Sequence, residues 1–81
     1  MSQKRVTKDE LFLVKLYQEG EKLGDPFMPL DRYQIGKLVS QNDKGVDNMV
    51  RMLAQANFIK KDSGNSIYIT KQGEALIQDF L

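Results

Sequence analysis

The chain has 81 residues, of which 41% are hydrophobic, and a formal net charge of +1. This length predicts one small domain over residues 1–81, and the hydrophobic fraction argues against a disordered chain. Histidine and cysteine are both absent, which excludes disulfides, thiolate metal sites and the usual catalytic triads. We therefore expect no enzyme activity, cofactor or metal site, although carboxylate or lysine chemistry stays open on these grounds.

The apolar runs are short. The longest, residues 11–14, is too short to span a bilayer. Residues 1–7 are polar and lack the apolar centre of a signal peptide. We therefore expect a cytoplasmic protein without a membrane segment, and we expect residues 1–6 to be disordered.

The first helix is predicted from Lys8 to about Lys22, because "TKDE" at residues 7–10 has the spacing of a capping box. Gly24 suits the C-terminal end, and the prolines at 26 and 29 forbid continuation. The residues between and after the prolines are expected to be extended, as an edge strand: Phe27, Met28 and Leu30.

A second helix is predicted to begin after Asp31, which forms a weaker capping pattern with Gln34. Gly36 costs about 1 kcal/mol relative to alanine inside a helix. That cost is explained if a neighbouring helix crosses at this point and needs the room. Residues 40–43 form a polar turn, with Asp43 expected to cap the next helix.

The third helix is predicted from Lys44 to about Ala56, with Asn57 in a left-handed conformation at its end. Residues 58–62 and 66–70 follow as the strands of a hairpin. Thr70 is expected to cap a last helix from Lys71 to about Phe80. The expected buried residues of these elements are Val46, Met49, Val50, Leu53, Ile67, Ile69, Leu76, Ile77 and Phe80, with Tyr68 facing outward.

The predicted order α1-β1-α2-α3-β2-β3-α4 is an α+β arrangement that resembles the winged helix-turn-helix fold. Two stretches, "YQIGKLVSQNDKGVDNMVRMLAQANFIKK" and "IYITKQGEALI", are similar to motifs of the MarR and PadR types of prokaryotic transcriptional regulator. In the first, Asn57 stands where those families have glycine. In the second, Ile69, Thr70, Gly73 and Ile77 match a strand-to-helix signature. The resemblance covers residues 30–78 and implies a three-helix core with a hairpin wing.

The resemblance implies double-stranded DNA as partner, with the third helix in the major groove. Residues 44–72 carry five basic and two acidic side chains, an excess of +3. Burying the apolar stripe of the third helix leaves four polar residues outward, of types that contact bases or phosphates: Lys44, Asn48, Arg51 and Gln55. A solvated helix face is the alternative explanation for these residues, and Asp47 beside them would repel phosphate.

The hairpin wing is expected to lie on the DNA backbone. Lys60, Lys61 and Lys71 are the candidates for phosphate contacts, and Asn65 for a lighter contact. Members of these families often carry an arginine at the wing tip, whereas "DSGNS" at residues 62–66 has none. We therefore do not expect deep insertion into the minor groove.

The first and last helices have more apolar residues than one buried stripe requires, which suggests a homodimer surface. The candidates are Phe12, Leu13, Leu16, Phe80 and Leu81, although all of them could instead complete the core of one protomer. The leading hypothesis is a non-enzymatic DNA-binding regulator. A winged-helix module that binds a protein partner instead of DNA is the alternative, because near-neutral net charge favours it.

Overall fold

A computed structural model describes residues 5–81 as a mixed α+β fold with the predicted order of elements. Within these residues there are four α-helices, one short 3-10 helix and a three-stranded antiparallel sheet. In chain order they are α1 (Lys8–Lys22), β1 (Leu30–Asp31), α2 (Arg32–Leu38), α3 (Asp43–Gln55), β2 (Ile59–Lys61), β3 (Ser66–Ile69), α4 (Lys71–Ile77) and the 3-10 helix (Gln78–Phe80). Residues 1–6 were expected to be disordered, and of these, residues 1–4 lie outside the described part of the chain. No helix within residues 5–81 has both the length and the apolar character required to cross a bilayer.

The N-terminus of α1 has the predicted capping box. The Glu10 backbone N–H donates to Thr7 Oγ1 at 3.1 Å, and the Thr7 N–H donates to Glu10 Oε1 at 2.9 Å. At the other end, Gly24 has a φ of 107° that side chains disfavour, so the chain turns there as expected. Phe27 and Met28 are not extended, because their N–H groups bond Asp25 in a turn, and only Leu30 continues into a strand.

The apolar residues of α1 that exceed one buried stripe are packed inside the protomer. Phe12, Leu13 and Leu16 are each 0% exposed, because α2, α4 and β3 all pack against this helix. The expectation that these three residues are available for a dimer surface is therefore wrong. A helix covered by several neighbours buries more than one stripe.

Helices α2 and α3 are packed closely where the sequence has Gly36. A Cβ on Gly36 would overlap the Cγ2 methyl of Val46, which is fully buried. This confirms that a neighbouring helix needs the space. The predicted cap of α3 is wrong by one residue: Asn42 Oδ1 accepts from the Gly45 N–H at 2.8 Å, and Asp43 lies in the first turn.

The four apolar residues predicted for α3 are all buried, and Asn57 ends the helix with a φ of 64°. The sheet has the order β1-β3-β2, so the hairpin β2–β3 extends the short strand β1. Leu30 pairs with Ile67, and Ile59 pairs with Ile69. Ile67 and Ile69 face the core, and Tyr68 faces the other side, half-buried.

Thr70 joins the base of the hairpin to both flanking helices. Its N–H donates to the Phe58 carbonyl at 3.0 Å, and its hydroxyl donates to the Asn57 carbonyl at 2.5 Å. The same hydroxyl accepts from the Gly73 N–H at 3.0 Å and so caps α4 as predicted. Helix α4 is shorter than predicted, ending at Ile77, and Leu76 is 36% exposed rather than buried.

Candidate nucleic-acid interface

The outward face of α3 is polar and solvent-exposed along its length. All four residues predicted to lie there are exposed: Lys44, Asn48, Arg51 and Gln55. Met52, which is 61% exposed, lies on the same face. Met52 stands four residues after Asn48 and three before Gln55, so helical spacing places it on this face. The predicted face did not include it because only polar residues were considered.

Two of these side chains are joined to one another. Arg51 Nη2 donates to Asn48 Oδ1 at 2.6 Å, one turn earlier on the helix. The partner of the guanidinium in this bond is a neutral amide rather than a carboxylate. Arg51 therefore keeps its positive charge uncompensated at this contact.

A groove of about 520 Å³ lies between the second half of α3 and the first strand of the hairpin. We call it the α3–β2 groove, and its lining residues are Arg51, Ala54, Gln55, Asn57, Ile59, Lys60 and Lys61. The three charged side chains among them are all cations. The groove thus brings together residues that the sequence assigned separately to the third helix and to the wing.

Asp47, which precedes Arg51 by one turn of α3, has partners of its own. Asp47 Oδ1 accepts from the Tyr33 hydroxyl at 2.8 Å and lies 3.6 Å from Arg32 Nη1. The hydrogen bond to Asp47, with smaller contributions from burial and from the carboxylate charge, raises the pKa of Tyr33 above its usual value. Because Arg32 offsets its charge, Asp47 opposes an anionic ligand less than the sequence alone suggested.

The hairpin tip is attached to the start of α2. Both the backbone N–H and the side-chain Nε of Arg32 donate to the Asn65 carbonyl, each at 3.1 Å. The Arg32 side chain is only 12% exposed. No local pattern around residue 32 could have shown this role, because the bond joins residues 33 positions apart. The Asn65 side chain itself stays on the exposed tip.

The other predicted backbone contact, Lys71, occupies a different environment. Its ammonium group lies 4.5 Å from the centre of the Phe27 ring, in a cation–π contact with the loop that follows α1. Phe27 in turn packs edge-on against Tyr17, with 6.2 Å between ring centres. Lys71 does not line the α3–β2 groove.

A second groove, of about 230 Å³, lies between α1 and α2. Its lining is apolar with acidic and no basic residues: Glu19, Leu23, Leu30, Asp31, Gln34, Ile35 and Leu38. Leu23 and Leu38 are 66% and 52% exposed. The charged residues that line the two grooves therefore have opposite signs, and of the two the α3–β2 groove is the one that suits a polyanion.

The chain was compared with protein-family models, with curated proteins and with solved structures, and none of the three comparisons finds a match.

Proposed function

We propose that the chain is a non-enzymatic DNA-binding protein of the winged helix-turn-helix type, acting as a transcriptional regulator. In this proposal α3 lies in the major groove of double-stranded DNA, and the hairpin β2–β3 lies along the backbone. One observation carries the proposal: the α3–β2 groove unites the exposed end of α3 with the hairpin, and all its charged lining residues are cations. A phosphate backbone is the ligand that such a surface fits.

The arrangement of the elements supports the same conclusion. Helices α2 and α3 are joined by a short turn, and the hairpin follows α3 directly, as in the family that the sequence resembles. Both ends of the hairpin are held, at the tip by Arg32 and at the base by Thr70. A hairpin fixed in this way keeps Lys60 and Lys61 at a constant position relative to α3.

A salt titration with labelled duplex DNA tests the proposal. If Lys60 and Lys61 each neutralise one phosphate, log K falls with log salt at a slope of about 1.8. Affinity then falls about twelvefold between about 50 mM and 200 mM salt. Replacing either lysine by alanine is expected to reduce the slope by about 1.

The matched control is Lys22→Ala, which removes one positive charge from the exposed end of α1, outside the groove. This variant should keep the slope of the unmodified protein. Absence of binding at low salt, or equal effects of Lys22→Ala and Lys61→Ala, would contradict the proposal.

A homodimer is part of the proposal, because regulators of this kind usually cover two half-sites. With the α1 candidates buried, the remaining dimer candidate with an exposed apolar side chain is Leu81, at 51%, on the same C-terminal segment as Leu76, at 36%. Phe80 is half-buried against the core of its own protomer. Sedimentation at high micromolar concentration tests this, and a monomer there would contradict it.

One observation favours the second candidate function, a protein-interaction module. The α1–α2 groove exposes Leu23 and Leu38 beside the carboxylate of Asp31. Its occupant would be a protein segment with an apolar anchor next to a basic residue. Leu38→Lys should abolish such an interaction and leave DNA binding unchanged, so the two functions can be separated with one variant.

A further inference from the structure

The hydrogen bond between Asn48 and Arg51 limits which base the proposed reading face can recognise. An asparagine amide has a carbonyl acceptor and an amino group with two donors, and recognition of adenine uses both. The carbonyl accepts from the adenine amino group while the amide donates to N7. In this structure that carbonyl already accepts from the Arg51 guanidinium at 2.6 Å.

The pair therefore presents donors outward. The Asn48 amino group and the remaining N–H groups of Arg51 are free to donate, and an arginine side chain has no acceptor. The carbonyl has a second lone pair, but an adenine amino group approaching it would lie beside the guanidinium, whose positive charge and N–H hydrogens repel another donor. In the major groove, guanine offers two adjacent acceptors, N7 and O6, whereas adenine and cytosine each present a donor.

The charge and the fixed orientation of the Arg51 guanidinium also favour guanine. Asp47 bonds Tyr33 and lies beside Arg32, so its carboxylate is not the group that holds Arg51. The guanidinium is thus held in place by a neutral group and keeps its full charge. Because the fork is oriented before DNA arrives, less side-chain entropy is lost on binding.

We propose that Asn48 and Arg51 form one guanine-selective unit, in which Arg51 contacts guanine and Asn48 positions it instead of recognising adenine. This inference rests on the proposed DNA-binding function and specifies the base at the centre of the site.

Selection from a random-sequence duplex pool at low salt provides the test. The unmodified protein is expected to enrich guanine at a fixed position. Replacing that guanine by 7-deazaguanine, which lacks the N7 acceptor, should lower affinity about tenfold. Arg51→Ala should lose the guanine preference and leave the salt slope nearly unchanged, because its proposed contact is to a base rather than to a phosphate.

Asn48→Ala separates positioning from a general structural effect. It should lower the preference for guanine over adenine about fivefold while the salt slope stays unchanged, because no phosphate contact is removed. The matched control is Gln72→Ala, an exposed glutamine of α4 that does not line the α3–β2 groove, which should keep the guanine preference at that position. Urea unfolding of each variant checks that the fold is retained.

The outcomes distinguish the two proposals. Binding that is retained with 7-deazaguanine, or an enriched adenine that depends on Asn48, overturns the guanine inference and leaves DNA binding standing. Failure to bind any duplex at low salt overturns the proposed function itself.

Discussion

The contact between α2 and α3 predicts that one substitution will change sign with its background. Gly36→Ala adds a Cβ that overlaps the Cγ2 methyl of Val46, which is 0% exposed. In the variant Val46→Ala that methyl is gone, so the same Cβ has room. The crowding is confined to one pair of side chains, which makes a double-mutant cycle the suitable experiment.

Two opposing effects set the size of the change. Alanine is favoured over glycine inside a helix by about 1 kcal/mol. Overpacking a tight core contact costs about 1–3 kcal/mol. In the unmodified protein Gly36→Ala should therefore lower the free energy of unfolding by about 1 kcal/mol. In the Val46→Ala background, where the overlap is relieved, it should raise it by about 1 kcal/mol, although Val46→Ala itself costs about 2 kcal/mol.

Urea unfolding followed by circular dichroism measures all four proteins of the cycle. In thermal melts, 1 kcal/mol corresponds to about 4–8 °C for a domain of this size. Lys37→Ala, an exposed position on the same helix, is the control and should have equal effects in both backgrounds. An equal effect of Gly36→Ala in both backgrounds would refute the reasoning, because the helices would then not be in the contact described.

Three further predictions concern the ends of α3 and the residues beside it. Asn42→Ala should cost about 1 kcal/mol in urea unfolding and Asp43→Ala clearly less, because Asn42 bonds the Gly45 N–H; the reverse order would contradict the assigned cap. Arg32→Ala and Arg32→Lys should both lose about 1–2 kcal/mol, since neither keeps the Nε bond to the Asn65 carbonyl, and unchanged stability of the lysine variant would show that this bond contributes nothing. The bond to Asp47 raises the pKa of Tyr33. The stability that this bond contributes is therefore complete below about pH 10, the unfolded-state pKa, and is lost as pH rises through the higher pKa of the folded state. Tyr33→Phe should therefore show a smaller fall in the urea midpoint between about pH 9 and pH 11 than the unmodified protein, and an equal fall would contradict this origin.

The local signals in the sequence were sufficient for the elements themselves. The capping box at Thr7 placed the start of α1, and the residue after the last turn of α3, Asn57, adopts the left-handed conformation expected of it. The tight packing at Gly36 followed from the cost of glycine in a helix. Each of these features depends on residues within a few positions of one another, which is the range over which capping and propensity act.

The cap of α3 and the turn at Phe27 and Met28 were local errors, whereas the other errors came from contacts between distant parts of the chain. An apolar count along α1 does not tell how many neighbours cover the helix, so Phe12 and Leu16 were misjudged as available for a partner. The bond of Arg32 to the hairpin tip and the charge it supplies beside Asp47 depend on the fold as a whole. The four residues predicted for the outward face of α3 are exposed, but which of the candidate residues meet in one groove depended on tertiary structure, and Lys71 lies outside that groove.

The hydroxyl of Thr70 has a consequence for how the molecule opens. It donates to the carbonyl at the end of α3 and accepts from the N–H at the start of α4, so α4 cannot separate from α3 without breaking the bond between its capping residue and Asn57. Helix α4 is therefore not an independently fraying segment, despite its seven residues. Its opening also exposes the base of the hairpin. We expect the amides of Phe58 and Gly73 to exchange with solvent deuterium through a shared opening event, which makes α4 and the hairpin β2–β3 one cooperative unit.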